Sequence, residues 1–391
     1  MYQKTIIFLT ILLTSLRSCS SSYPFDPRYE HSISPNVYYE TNHQHGHITH
    51  NRHMKDPHAA PRSSPRAFNV NSFGAKANGN DDSQAFMKAW EAACSSKGTA
   101  YIVVPENRAY TLKPVKFSGP CKSSMIVFKI YGKIEAWKNP SDYRERGFWI
   151  VFQTVDNLRV EGGGRVDGNG KIWWPKSCKI NPELAVTFVE CNNLMVRNIR
   201  LENAQQMHMR VQKCENVKAL NLMVKSPGDS PNTDGIHVTG TRNILIQDSI
   251  IRTGDDCISI VSGSENVRAT GITCGPGHGI SIGSLGAHNS EAYVSNVVVS
   301  KATLIGTTNG VRIKTWQKSA VQVSNVLYKN IHGTSSSPEA IKFVCSKSIP
   351  CQGISLQNVE LVDQNTKQDV SKATCSNVKL KSSGRLSSLC T

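Results

Sequence analysis

Three aspartates, one histidine and two cations within one stretch of the chain, Asn232 to Trp316, fall at intervals that suit acid–base chemistry on an anionic partner. Asn232-Thr233-Asp234-Gly235 comes first, then Gly254-Asp255-Asp256-Cys257, then Gly275-Pro276-Gly277-His278-Gly279, and Arg312-Ile313-Lys314 follows. Asp234 and Asp255 are 21 residues apart and His278 lies 23 beyond Asp255. Arg312 and Lys314 are two apart, so on a strand they share a face. Neighbouring carboxylates are not all ionised cheaply; one pKa should rise, leaving a protonated acid beside ionised partners. An acid for a leaving oxygen and a base for water are what hydrolysis of a glycosidic bond needs. Arg312 and Lys314 would hold a carboxylate on the sugar.

Taken singly, each residue has a plainer reading. Asp-Gly and Gly-Asp are turn signals. His278 suits a glycine-rich turn, and Arg312 with Lys314 suits a solvated basic face. Their coincidence at one spacing favours a site. Asp255 and Asp256 would point oppositely on an ideal strand, and Gly254 is expected to bend the chain so that both face one way. His237 is either an orienter of the site or structural. Trp316 either stacks on a sugar or caps the coil edge. His208 and His288 receive no role.

The spacing has a structural source. From Tyr101 to Val362, short apolar strands alternate with Gly, Asn and Ser. Asn193, Asn216, Asn243, Asn266, Asn296 and Asn325 each open an apolar run, at intervals of 23, 27, 23, 30 and 29. Self-similarity at that period without helices points to a parallel β-helix. Its coils stack at about 4.8 Å. The asparagines suit turns in the left-handed backbone region and can ladder from coil to coil. Stacking then brings Asp234, Asp255 or Asp256, His278, Arg312 and Lys314 onto adjacent rungs. Ahead of the coils, Phe68-Asn69-Val70 opens a strand. A helix over Gln84–Cys94, capped by Asp82 or Ser83, carries Phe86, Trp90 and Ala93 on one face. It is expected to cover the open sheet end.

With 391 residues and 39% hydrophobic content, the chain can bury a large core. Its formal charge of +16 favours an anionic partner. No RRM, KH, helix-turn-helix or zinc-finger pattern is present, which disfavours nucleic acid. Residues 1–22 read as a secretory signal: Lys4, an apolar run Ile6–Leu13, then small residues. That run is too short to span a bilayer. Residues 23–66, rich in His and Pro, read as a disordered linker or propeptide, and 67–391 as one β-helix domain. Twelve cysteines fit an oxidising compartment. Candidate bridges are Cys94–Cys121, Cys257–Cys274, Cys345–Cys351 and Cys375–Cys390, with at least one free thiol among Cys178, Cys191 and Cys214. No N-glycosylation sequon occurs.

The blocks Asn232-Thr233-Asp234, Gly254-Asp255-Asp256, Gly277-His278-Gly279 and Arg312-Ile313-Lys314, in this order, resemble the four signature motifs of the polygalacturonases, glycoside hydrolase family 28, especially the plant members. The resemblance runs from about Ala67 to Cys390. It implies an all-β, single-stranded right-handed parallel β-helix and inverting hydrolysis of α-1,4-linked galacturonic acid. By the family pattern Asp255 is the general acid, and Asp234 and Asp256 bind and activate the water. His278 tunes the acid, Arg312 and Lys314 grip the galacturonate carboxylate, and Asn232 supports substrate or the neighbouring aspartate. Inversion implies carboxyl groups roughly 6.5–9.5 Å apart, whereas about 5 Å indicates retention. No metal or organic cofactor is implied. A secreted, extracellular, cell-wall monomer acting on pectin is expected, more readily endo than exo. A pectate-lyase-type enzyme and a catalytically silent pectin-binding wall protein are the alternatives. Two departures stand out. Many relatives have a tyrosine just ahead of the cysteine matching Cys345, where this chain reads Phe343-Val344. After Trp316 many have a glycine-rich turn, where this chain has a shorter, more basic Gln317-Lys318-Ser319.

Overall fold

A computed structural model describes residues 66–143, 147–176, 186–368 and 372–383. The secretory signal, the His-rich segment, Cys178 and Cys390 lie outside the described residues. Among the described residues the strands form two sheets, of 19 and of ten strands, paired in parallel throughout. A typical coil gives two short strands to the larger sheet and one to the smaller: Met195–Arg197, Arg200–Glu202, then Met209–Gln212. This is the parallel β-helix expected from the period, single-stranded and right-handed as the resemblance implied; parallel crossovers take that hand almost without exception.

Alternation within each strand makes the core. Along one rung column the inward residues are Val196, Ala219, Ile246, Ala269, Val299 and Tyr328, in register from coil to coil. Near the N-terminal end the interior is aromatic. Phe152 stacks on Phe188 at 5.2 Å, and Phe117 and Phe128 pack against Phe152. Each ring fills the gap between two rungs, so a coil buries its inner face only by having neighbours.

The repeated asparagines do what their spacing suggested. Asn193, Asn216, Asn243, Asn266, Asn296 and Asn325 all hold positive φ. Their amides form a ladder: Asn243 donates to Asn216, Asn266 to Asn243, Asn296 to Asn266 and Asn325 to Asn296, at 3.0–3.3 Å. The ladder stops at Gly353, which stacks closely on Asn325 with φ +65°.

The helix spans Ser83–Ser95 and packs Phe86, Ala89, Trp90 and Ala93 over the first coil. Trp90 Nε1 donates to the Ser118 carbonyl, and Cys94–Cys121 staples the helix end. Asp82 is the N-cap residue, but its carboxylate is not the cap. It accepts from the backbone N–H groups of Lys76 and Ala77, closing the preceding turn. Cys257–Cys274 and Cys345–Cys351 are also formed, Cys375 is bridged, and Cys191 and Cys214 are free and buried. Among the described residues no helix is long and apolar enough to cross a membrane.

Candidate active site

The smaller sheet positions the site. Arg210, His237, Ser259, Ser281, Arg312, Lys342 and Thr374 stand in register on successive rungs. Asp234 and Asp255 enter this face from the turns just before their strands, and Asp256 is the first residue of its strand. Parity alone would put Asp256 and Ser259 on opposite faces, because they are three residues apart. A register shift between Asp256 and Ile258 accommodates Cys257 as an extra residue, and this bulge turns Asp256 onto the polar face. Gly254 therefore has a different role from the bend expected of it. A Cβ there would lie 2.0 Å from the Ser230 carbonyl oxygen, so it is glycine because two turns touch.

The site is a hydrogen-bonded network. Arg312 donates from Nη2 to Asp256 Oδ1 at 2.7 Å and from Nε to Ser281 Oγ at 3.0 Å. Ser281 in turn donates to the same Asp256 oxygen at 2.6 Å. Ser259 donates to Asp234 Oδ2 at 2.6 Å and is itself held by His237 Nδ1 at 2.7 Å. His278 Nδ1 meets Asp255 Oδ1 at 2.7 Å, and that oxygen also accepts from the Asp256 N–H. Among the described residues Lys314 makes no hydrogen bond or ion pair, and its side chain is exposed. Asn232 sits in the turn leading to Asp234 with φ +54°.

These contacts separate the three carboxyls. Burial, with the charges of Asp255 and Asp256, raises Asp234 well above the usual range. Burial also raises Asp256, to about 6, although Arg312 opposes it. Asp255 goes the other way. Burial would raise it, but the His278 hydrogen bond and the charges of His278 and Arg312 prevail and lower it. His278 is raised, through its bond to Asp255. A raised carboxyl was expected, and two are present; the residue cast as the acid is not one of them. Lys314, though its side chain reaches solvent, is lowered by the partial desolvation of its ammonium against the sheet, with Arg312 adding to it.

One donor atom each from Asp255, Asp256 and His278 lies within 4.8 Å of the others, a spacing at which a metal ion could be held. The Arg312 guanidinium already supplies positive charge there. The same figure puts Asp255 and Asp256 closer than the 6.5–9.5 Å expected between the acid and base of an inverting pair. Three contributors were missed from sequence. Ser259 and Ser281 each orient an aspartate, and only their spacing from His237 could have betrayed them. His208, given no role, is buried and bonds the Asp234 carbonyl through Nδ1 and through its own N–H. Burial pushes its pKa down to about 4, and that of His237 to about 3, so both are neutral. His237 thus supports Ser259 and through it Asp234. Trp316 is exposed at the coil edge, its backbone N–H bonded to Leu285. Val344 is in register beside Lys314, while Phe343 points inward and stacks on Tyr328.

The chain is thus a parallel β-helix protein that gathers three carboxyls, an imidazole and cations on one sheet face. The chain matches "Glycosyl hydrolases family 28" over residues 94–332 and again over 317–385, and it belongs to that family. It is 70% identical over 440 aligned positions to polygalacturonase QRT2 of Arabidopsis thaliana, covering 100% of both chains. It is 50% identical over 373 positions to polygalacturonase-2 of Solanum lycopersicum, covering 83% of this chain and 81% of that one. The polygalacturonase structure from Erwinia carotovora ssp. carotovora shares the fold, with a TM-score of 0.61 at 21% identity over 84% of this chain and 99% of that one.

Proposed function

We propose that this protein is a secreted polygalacturonase that hydrolyses α-1,4-galacturonosidic bonds of pectin in the cell wall. The carrying observation is the junction of two devices on one face: the Asp234–Asp255–Asp256 set, and the unpaired Lys314 beside Arg312. The first supplies proton donor and acceptor, the second a seat for a uronate carboxylate. The names of the plant relatives support the same substrate.

In this reading Asp255 protonates the leaving glycosidic oxygen while Asp234 and Asp256 hold the water and take its proton. The free site carries its proton on the buried Asp234 or Asp256, with Asp255 ionised against His278. The working state has the same proton count with one proton relocated to Asp255. A bound galacturonate drives that shift, because it neutralises the cations and excludes water beside Asp255, and both raise a carboxyl pKa. His278 sets how readily Asp255 gives the proton up, and Asn232 shapes the turn that delivers Asp234. Because Asp255 and Asp256 lie so close, inversion rests on Asp234 as the base. A first product in the β-anomeric form supports that; the α-anomer makes the enzyme retaining.

Asp255→Asn should abolish the release of reducing ends from polygalacturonate while the chain keeps its fold and its affinity for the polymer. Unchanged turnover would overturn the assignment. A lyase would instead give an unsaturated, ultraviolet-absorbing product and stop on chelation of calcium. A silent binding protein would bind at acidic pH without turnover.

A further inference from the structure

We infer that this chain lacks at least one whole coil of its family's solenoid after Trp316, and that the loss makes Lys342 a substrate-carboxylate ligand on the rung next to Arg312. The inference deepens the polygalacturonase reading and rests on it.

The lengths carry the first half. The Arabidopsis match covers all of a 391-residue chain yet spans 440 positions, so at least 49 positions (440 less 391) have no counterpart here. The tomato match behaves alike, since its 373 positions take in only 83% of the 391 residues. Forty-nine exceeds the coil intervals of this chain, among which Asn157 to Asn193 is 36 and Asn266 to Asn296 is 30. The place is marked by residues 317–332, which end one match to the family and begin the other. A strand that fits two successive places in a repeating fold is what remains when the coil between them is gone. The basic, shortened Gln317-Lys318-Ser319 stands at that point.

The structure shows why such a loss is tolerated. Each coil touches only the coils before and after it, so removing a whole number of them leaves inward residues inward. The seam is closed: Val311, Arg312, Ile313 and Lys314 pair in unbroken register with Ile341, Lys342, Phe343 and Val344. On the neighbouring sheet Val297–Ser300 pair with Val326–Lys329 equally regularly.

Closure changes the wall of the site. Lys342 is the register partner of Arg312, on the same outward face, about 4.8 Å along the solenoid. With the lost coil in place, these two rungs would not touch. Lys342 Nζ is held at 2.9 Å by Glu339 Oε2, and Glu339 is braced by Thr374. That pair is partly exposed and of small intrinsic strength. It fixes the direction of the ammonium without removing it from reach of a stronger anion. Arg312, Lys314 and Lys342 therefore form a cluster two to three rungs along from the strand of Asp256, which suits a polymer with a carboxylate on every sugar.

The test compares Lys342→Gln and Lys342→Arg with the unmodified protein on oligogalacturonates of defined length. Lys342→Gln should raise KM for the longer oligomers by about threefold to tenfold with kcat little moved, and Lys342→Arg should restore KM. A third protein, carrying the Arabidopsis relative's additional segment between Trp316 and Gln317, should lose its sensitivity to Lys342→Gln, because the lysine then stands at least one rung further away. An unchanged KM in Lys342→Gln, or an equal loss with and without the inserted segment, overturns the inference while leaving the functional reading intact. If the unmodified protein releases no reducing ends at all, the functional reading fails and this inference falls with it.

Discussion

Asp256 shows how much of the chemistry is set by atoms that are themselves inert. Its Oδ1 accepts from both Ser281 and Arg312, and burial still lifts its pKa to about 6. A carboxylate that must be ionised to take a proton from water is lost below its pKa. A carboxyl that must be protonated to donate is lost above its own. The kcat/KM profile on polygalacturonate, which reports the free enzyme, should therefore be a bell confined to the acid side of neutrality. Ser281→Ala removes a donor that stabilises the charged form, so the Asp256 pKa should rise and the corresponding limb should move to higher pH. A loss of one charge-assisted hydrogen bond, about 1.5–3 kcal/mol, corresponds to roughly tenfold to a hundredfold in kcat/KM. A profile that keeps its shape in Ser281→Ala would contradict the role given to that hydroxyl. The grouping of the aspartates, His278 and Arg312 was legible from residue type and spacing, because stacked coils bring residues one coil apart onto adjacent rungs. Ser259, Ser281 and His208 were not, because serines and buried histidines recur everywhere in a β-helix. The low pKa of Asp255 was hidden too, since it depends on a 2.7 Å contact that no spacing reveals.

At the scale of the elements, the asparagine ladder and the bulge at Cys257 divide what a sequence discloses from what it conceals. The ladder was readable because asparagine repeats at the coil period and combines tolerance of positive φ with an amide that both donates and accepts. Asn243, at φ +57°, donates to Asn216 and accepts from Asn266. Asn243→Ala should cost the left-handed penalty of about 1–2 kcal/mol plus the two amide contacts. Asn243→Gly relieves the backbone term and keeps only the loss of the contacts, so its denaturation midpoint should fall between those of Ala and the native residue. Equal midpoints for Ala and Gly would mean that backbone conformation plays no part. The bulge left no comparable trace. It takes one extra residue, Cys257, whose inward side is fixed by its bridge to Cys274. Only the register of the neighbouring strand shows that Asp256 has changed face. Likewise Asp82 was read correctly as the residue that begins the helix and wrongly as its side-chain cap, because its carboxylate had a better use in the turn before it.

For the whole molecule, a chain with a formal net charge of +16, meeting a polyanion as the proposed function requires, links the local site to the field around it. Under the proposed function the cations gathered at Arg312, Lys314 and Lys342 would face the approaching polymer, with the chain's other basic residues adding to the same potential. Long-range attraction between exposed charges is screened within about 10 Å at 0.1 M salt. Capture of polygalacturonate should therefore weaken as ionic strength rises. Under the proposed function the chemical step would occur among buried groups within hydrogen-bond distance, which salt screens much less. KM should climb steeply with added sodium chloride while kcat at saturation stays nearly level. The slope of log KM against log salt should be smaller in Lys314→Gln, because one exposed cation has been removed from the contact. A kcat that fell in parallel with rising KM would mean that salt reaches the acid–base network itself. The partition of buried chemistry from exposed capture, on which the rung-by-rung account depends, would then be wrong.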